Sequence, residues 1–168
     1  MKRRLKQPGV KTTSLETKVE DFLAQKRIAV AGVSRNNHHA AGNLIYHRLK
    51  KSGHDVVPVN PHMQTFEGDR CYPNLQSIPG GVDGVMIITR PETTDRIVRD
   101  CSGAGVRRVW MHQSIGKGSS VSPEAVEYCR RHDISVIAGA CPMMFGPGVD
   151  FGHRCMRWIM KLKRELPQ

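Results

Sequence analysis

Ile28-Ala29-Val30-Ala31-Gly32-Val33-Ser34-Arg35-Asn36 is the stretch on which the fold of this chain turns. From Arg27 it runs as continuous apolar sequence, the pattern of a strand covered on both faces, as in a parallel sheet. It then reaches Gly32, where the backbone can turn closely under a ligand. A hydroxyl (Ser34), a fixed cation (Arg35) and the amides of Asn36 and Asn37 follow. Free N–H groups at the start of a following helix add partial positive charge. Gly32, Val33, Ser34, Arg35 and Asn36 therefore read as a cradle for phosphate. Ser34 stands where a Gly-x-Gly-x-x-Gly fingerprint has its second glycine, and no Gly-Lys-Ser/Thr closes the loop.

Outward from this strand, the periodicity alternates. Leu15, Val19, Phe22 and Leu23 recur at helical spacing before it, which predicts a helix over 15–25. After it, residues 40–52 read as a helix with Gly53 past its end, and Asp55-Val56-Val57-Pro58-Val59 as a strand. The proline requires a position where no ladder donor is needed. A helical turn over 74–78, a strand over 82–89, a helix over 91–104 and a strand over 107–112 come next. Ser122-Pro123-Glu124 opens another helix with a capping serine and a proline at its first position. Residues 134–138 form the last strand, and 151–166 read as a basic amphipathic helix carrying Met156, Ile159, Met160 and Leu162. Strands alternating with helices predict an α/β fold: a Rossmann-like, doubly wound parallel sheet of about five strands in three layers. Right-handed crossovers bring the loops after the strands to one edge, where such folds bind ligands.

Composition sets the outer limits. A chain of 168 residues suits one domain, here 15–168, preceded by a basic flexible tail at 1–14. No apolar run approaches the ~20 residues of a membrane span, and no apolar stretch follows the basic opening Met1-Lys2-Arg3-Arg4-Leu5-Lys6, so a signal peptide is not expected. The five cysteines include no Cys-x-x-Cys pair, which points to a reducing, cytoplasmic setting and not to disulfides or zinc. The formal charge is +11. Lys2, Arg3, Arg4, Lys6 and Lys11 meet no acid in the first eleven positions, and Arg154, Arg157, Lys161, Lys163 and Arg164 meet only Glu165. The body is thus nearly balanced, and the basic ends are solvated or make weak contact with an anionic partner. Few aromatics interleave with those charges, so no stacking platform for nucleic acid is visible.

The loop after the second strand narrows the ligand. An NAD site places an acid there for the ribose hydroxyls, and an Arg there takes an NADP phosphate. Here the sequence is Val59-Asn60-Pro61-His62, with neither. An NAD(P)-binding oxidoreductase or redox module with a degenerate fingerprint is the alternative reading.

The set Ala31-Gly32-Val33-Ser34-Arg35-Asn36, Val57-Pro58-Val59-Asn60-Pro61, Phe66-Glu67-Gly68, Cys71-Tyr72-Pro73-Asn74-Leu75, Val82-Asp83, Arg107-Arg108-Val109-Trp110-Met111-His112-Gln113, Ile115-Gly116 and Cys141-Pro142 resembles, in order, the small CoA-binding proteins related to the CoA-binding domain of the succinyl-CoA synthetase α subunit. The resemblance implies CoA or an acyl-CoA lying across the carboxyl edge. Gly32 to Asn36 would cradle phosphate. Asn60, Pro61 and His62 would lie beside the ribose-phosphate end, and Thr89 and Arg90 beside the adenine or its phosphate. Gln113 and Ile115 would line the pantetheine path, with Cys141 near the thiol. His62 replaces the basic residue often found after the second strand of the synthetases. The synthetases also carry a phosphorylated histidine on a second domain, for which this length leaves no room. With no Ser–His–Asp set, paired carboxylates or metal-spaced histidines, the expectation is a non-catalytic sensor or carrier without a metal. His112 then reads as a polar residue shaping the pocket. The chain's oligomeric state is left open.

Overall fold

The computed structural model describes residues 14–114 and 118–145. The basic ends, the 151–166 helix and Ile115 lie outside these residues. Among them, five strands form one parallel sheet in the order β2-β1-β5-β6-β7. These are β1 (Arg27–Ala31), β2 (Asp55–Val59), β5 (Gly84–Ile87), β6 (Arg108–Met111) and β7 (Ser135–Ala138). The chain leaves β1 toward β2, then returns past β1 to β5, so the order reverses between β1 and β5. Four helices cover the sheet: α1 (Leu15–Leu23), α2 (Ala41–Lys51), α3 (Pro91–Gly103) and α4 (Pro123–Arg131).

Strand alternation sorts the core into two halves. Ile28 and Val30 of β1, Met86 of β5, Trp110 of β6 and Ile137 of β7 face α1 and α2, where Phe22, Ile45 and Leu49 meet them. Ala29 and Ala31, Val85 and Ile87, Val109 and Met111, and Val136 face α3 and α4, where Val98, Cys101, Ala125 and Cys129 meet them. Period-two alternation with both faces apolar is what produces the continuous hydrophobic runs of the sequence. Trp110 anchors the first half. Its ring meets Phe22 and Phe145 edge-on at centroid distances of 5.5 and 5.6 Å, and its Nε1–H donates to the Ala140 carbonyl at 3.0 Å.

The elements end where local chemistry stops them. Ser14 caps α1 and Ser122 caps α4, each accepting from the amide three residues on. Pro91 and Pro123 begin α3 and α4. β2 is the edge of the sheet, which tolerates Pro58. Beyond it, Tyr72 donates its N–H to the Pro58 carbonyl at 3.1 Å, and Asn60 donates to the Tyr72 carbonyl at 2.9 Å. Residues 74–78 make a turn closed by Asn74, whose side chain accepts from Ser77, and not a helix.

Two features have no counterpart in the sequence expectations. A short hairpin, β3 (Thr65–Phe66) with β4 (Asp69–Arg70), follows β2. It is pinned to α2, because the buried Tyr46 hydroxyl donates to the Asp69 carboxylate, Lys50 Nζ reaches the same oxygen at 2.6 Å, and the Tyr46 and Phe66 rings meet edge-on. Burial and Asp69 push the Tyr46 phenol up to about 12. A single 3-10 turn, η1 (Pro142–Met144), ends the described chain against α2.

The tightest constraint lies where α2 meets the loop after β1. A Cβ on Gly42 would stand 2.3 Å from the Gly32 carbonyl oxygen, which is backbone and cannot swing away. Gly32 has φ +116°, and a Cβ there would stand 2.2 Å from the Ile88 carbonyl oxygen. Gly42→Ala is therefore expected to destabilise the fold by about 1–3 kcal/mol, the usual cost of overpacking. A lower urea midpoint at unchanged m-value would register it.

Candidate functional site

The carboxyl edge of the sheet carries two adjoining clefts that meet at Thr89. The first encloses about 500 Å³. Its floor is Ala31 and Gly32, one wall is Asn60-Pro61-His62, and the other is the outer face of α3 with Thr93, Arg96 and Asp100. The second encloses about 680 Å³ and is more open, between Thr89-Arg90-Pro91, the start of α2 at Ala41, and His112, Ser114, Ser119 and Ser120. Both lie beside the reversal of strand order between β1 and β5, the position at which doubly wound sheets take ligands.

The loop between β1 and α2 is held by side chains that reach it from elsewhere. Asn43, in the first turn of α2, is 1% exposed. Its Oδ1 accepts from the Ser34 N–H at 2.8 Å, and its Nδ2 donates to the carbonyls of Ser34 at 2.7 Å and Asn37 at 3.1 Å. Asn60 donates its Nδ2 to the Val33 carbonyl at 2.8 Å and accepts the His62 N–H at 2.9 Å. Two asparagines thus staple the loop to the helix that follows it and to the next strand. The N-cap of α2 is Ala40, which supplies no side-chain acceptor. The helix begins without a side-chain cap, beside the second cleft at Ala41, where an anion is favoured.

The structure brings six of the thirteen residues expected from sequence to the two clefts and gives several of the set different work. Gly32, Asn60, Pro61, His62 and Thr89 line the first cleft, and Thr89 and Arg90 the second. Val33 is buried beneath the loop, while Arg35 and Asn36 are exposed on it. The Asn60 amide is engaged in the staple described above, so its contribution is to hold the wall in place. Gly32 answers to the crowding backbone of Ile88 as well as to a ligand. Thr89 is oriented by Thr94, its hydroxyl 3.0 Å away. Gln113 is exposed and bridged to Ser119 through its backbone. Cys141 is half-buried against the α1–α2 side of the core and is not among the residues lining either cleft. Burial pushes its thiol up, away from the reactive thiolate. Sequence reasoning passed over Asn43, which reads as an ordinary polar residue in a helix. Its placement in the first turn after an uncapped Ala40 was the available signal.

His112 sits at the carboxyl end of β6, 4% exposed. Burial holds its imidazole below the usual histidine value, so it is neutral near pH 7. Its Nε2 lies 3.5 Å from the Ser114 hydroxyl.

A parallel sheet with a stapled loop and a cleft at its switch point defines a nucleotide-binding α/β domain. The family follows from comparison: residues 26–147 match the model of the CoA binding domain family, and the chain belongs to it. It is related to the ADP-forming acetate–CoA ligases. It is 27% identical over 128 residues to acetate–CoA ligase (ADP-forming) I of Archaeoglobus fulgidus, covering 73% of this chain and 18% of that one. It is 26% identical over 126 residues to the α subunit of acetate–CoA ligase (ADP-forming) II of Pyrococcus furiosus, covering 71% of this chain and 27% of that one. The chain therefore spans about a fifth to a quarter of the ligase chains it matches. A hypothetical protein from Pyrococcus horikoshii OT3 shares the fold, with a TM-score of 0.70 at 24% identity over 83% of this chain and 94% of that one. The expected CoA-binding family and the Rossmann-like parallel sheet are both borne out, and CoA is the ligand the domain supports.

Two outcomes follow from this geometry. Asn43→Ala leaves the Ser34 N–H and two carbonyls without their partner, a loss of about 1–3 kcal/mol; amide exchange at Ser34 should accelerate with it. The His112 value, depressed on folding, makes the unfolded chain bind more protons between that value and 6.5. Stability from this group is present above pH 6.5 and is lost as pH falls through the window below it. Thermal melts of the wild type and His112→Gln should converge in that direction, the variant losing less on acidification.

Proposed function

We propose that this chain holds CoA or an acyl-CoA as a carrier or sensor, with the nucleotide half in the first cleft and the pantetheine arm leaving across Thr89 toward the second. The observation that carries this reading is the stapled loop Gly32–Asn37, whose Gly32 lines the first cleft, with Asn60 where an NAD site needs an acid. A volume of about 500 Å³ lies within the range of small-molecule sites. CoA brings several negative charges, and the loop answers them with backbone N–H groups, Arg35 and, across the edge, Arg90. The loop and the first cleft bind and orient, which favours a holder of CoA over a ligase in its own right. Among the described residues Cys71, Cys101, Cys129 and Cys141 are unpaired thiols, which fits a reducing cytoplasmic setting. Among the described residues no helix is long and apolar enough to cross a membrane.

Isothermal titration with CoA, acetyl-CoA and NADH tests the reading. Heat and a thermal shift with the CoA compounds are expected. Arg35→Ala or Arg90→Ala should weaken binding about tenfold or more, matching the ~1.5–3 kcal/mol of a hydrogen bond to a charged group. Binding of NADH with CoA inert would reverse the assignment in favour of the oxidoreductase class.

A further inference from the structure

One group in the second cleft is not used by binding alone. His112 lines it together with Arg90 and the hydroxyls of Ser114, Ser119 and Ser120. Its backbone is fixed on both sides, its N–H donating to the Ile87 carbonyl at 2.9 Å and its carbonyl accepting the Ser120 N–H at 2.8 Å. The imidazole is therefore held at the end of β6, with Nε2 near the Ser114 hydroxyl.

We propose that His112 is the proton acceptor for the thiol of bound CoA, so that the protein activates the sulfur it holds. This rests on the CoA reading above. With the nucleotide half in the first cleft and the phosphates on the Gly32–Asn37 loop, the arm has to cross Thr89, and the second cleft lies directly beyond. A free thiol has a pKa of about 8.5 and is mostly protonated at neutral pH, whereas the thiolate is the nucleophile. A neutral imidazole can take the proton as the sulfur attacks. Among the described residues Arg90 is the other titratable side chain lining the cleft, and a cation there favours a developing thiolate.

The reaction class this suits is acyl exchange with a second thioester. The CoA sulfur bonds to the carbonyl carbon, and its proton passes to His112. The bond from that carbon to the departing sulfur breaks, the departing sulfur leaves with the electron pair, and the imidazolium returns the proton to it. Nothing is oxidised or reduced.

The test is alkylation of CoA by iodoacetamide with protein in excess, read as the CoA adduct by mass spectrometry. CoA affinity is measured separately by titration. Bound CoA is expected to react at least tenfold faster than free CoA at pH 7, and His112→Gln, with CoA saturating, to bring the rate back to that of free CoA. The wild-type rate should be flat above pH 6.5 and fall in more acid solution as the imidazole is protonated. Either a bound thiol no faster than free CoA, or a rate rising about tenfold per pH unit through neutrality as for simple thiolate attack, overturns the role of His112. The wild-type profile decides the matter even if the variant does not fold. Absence of CoA binding in the titration would count against the CoA reading itself.

Discussion

The near-contact of Gly42 with the Gly32 carbonyl is the constraint on which the site depends. A helix that starts with a side chain at this position has to stand away from the strand before it. Without one, α2 begins against the loop backbone, and the next residue, Asn43, comes within reach of Ser34 and Asn37. The amide then replaces solvent as partner for three main-chain groups whose burial unpaired is costly. The close approach of α2 to the loop and the reach of Asn43 to its main chain both follow from one missing Cβ. On the other side of the loop, Asn60 completes the arrangement through the Val33 carbonyl, which binds the end of β2 to the end of β1.

Sheet and site share their physics. Both faces of the sheet are covered by apolar packing, so the side chains of the inner strands reach a cleft only at the strand ends. The polar groups of the domain collect where the strands stop. Trp110 shows how rigid this arrangement is: its ring fills the α1–α2 side, and its indole N–H holds the Ala140 carbonyl in the loop after β7. One residue along the same strand, Met111 packs on the opposite face. The next, His112, emerges at the carboxyl edge. Core and cleft are separated by a single step of strand alternation.

The sequence was most legible where one cause acted alone. The limits of β2 could be read directly, because Gly53 ends the helix before it and Asn60-Pro61 ends the run. Apolar periodicity located α1, and first-turn prolines the starts of α3 and α4, to within a residue or two. The hairpin at 65–70 was not legible, since two-residue strands have no periodicity and its anchor, Tyr46, lies about twenty residues earlier on another element. Asn43 and Asn60 were opaque for the same reason. One looks like a helix-surface residue and the other like a ligand contact, and only their distant main-chain partners show that both build the loop. The acidic residue of the first cleft, Asp100, comes from α3 and not from the end of β2 where a fingerprint would seek it.

The thiols complete this division between holding and reacting. Cys71, Cys101, Cys129 and Cys141 are all pushed above the ordinary thiol value by burial, Cys129 to about 12. A thiol kept protonated is a poor nucleophile and a poor partner in disulfide exchange. The expectation that Cys141 lies beside the CoA sulfur therefore gains no support from its surroundings, which are apolar core. Burial acts in the opposite sense on the imidazole of His112. The same loss of water that keeps each thiol protonated keeps this base unprotonated. Desolvation thus quiets the four described thiols and, by the same cause, keeps the His112 imidazole neutral at the edge of the second cleft.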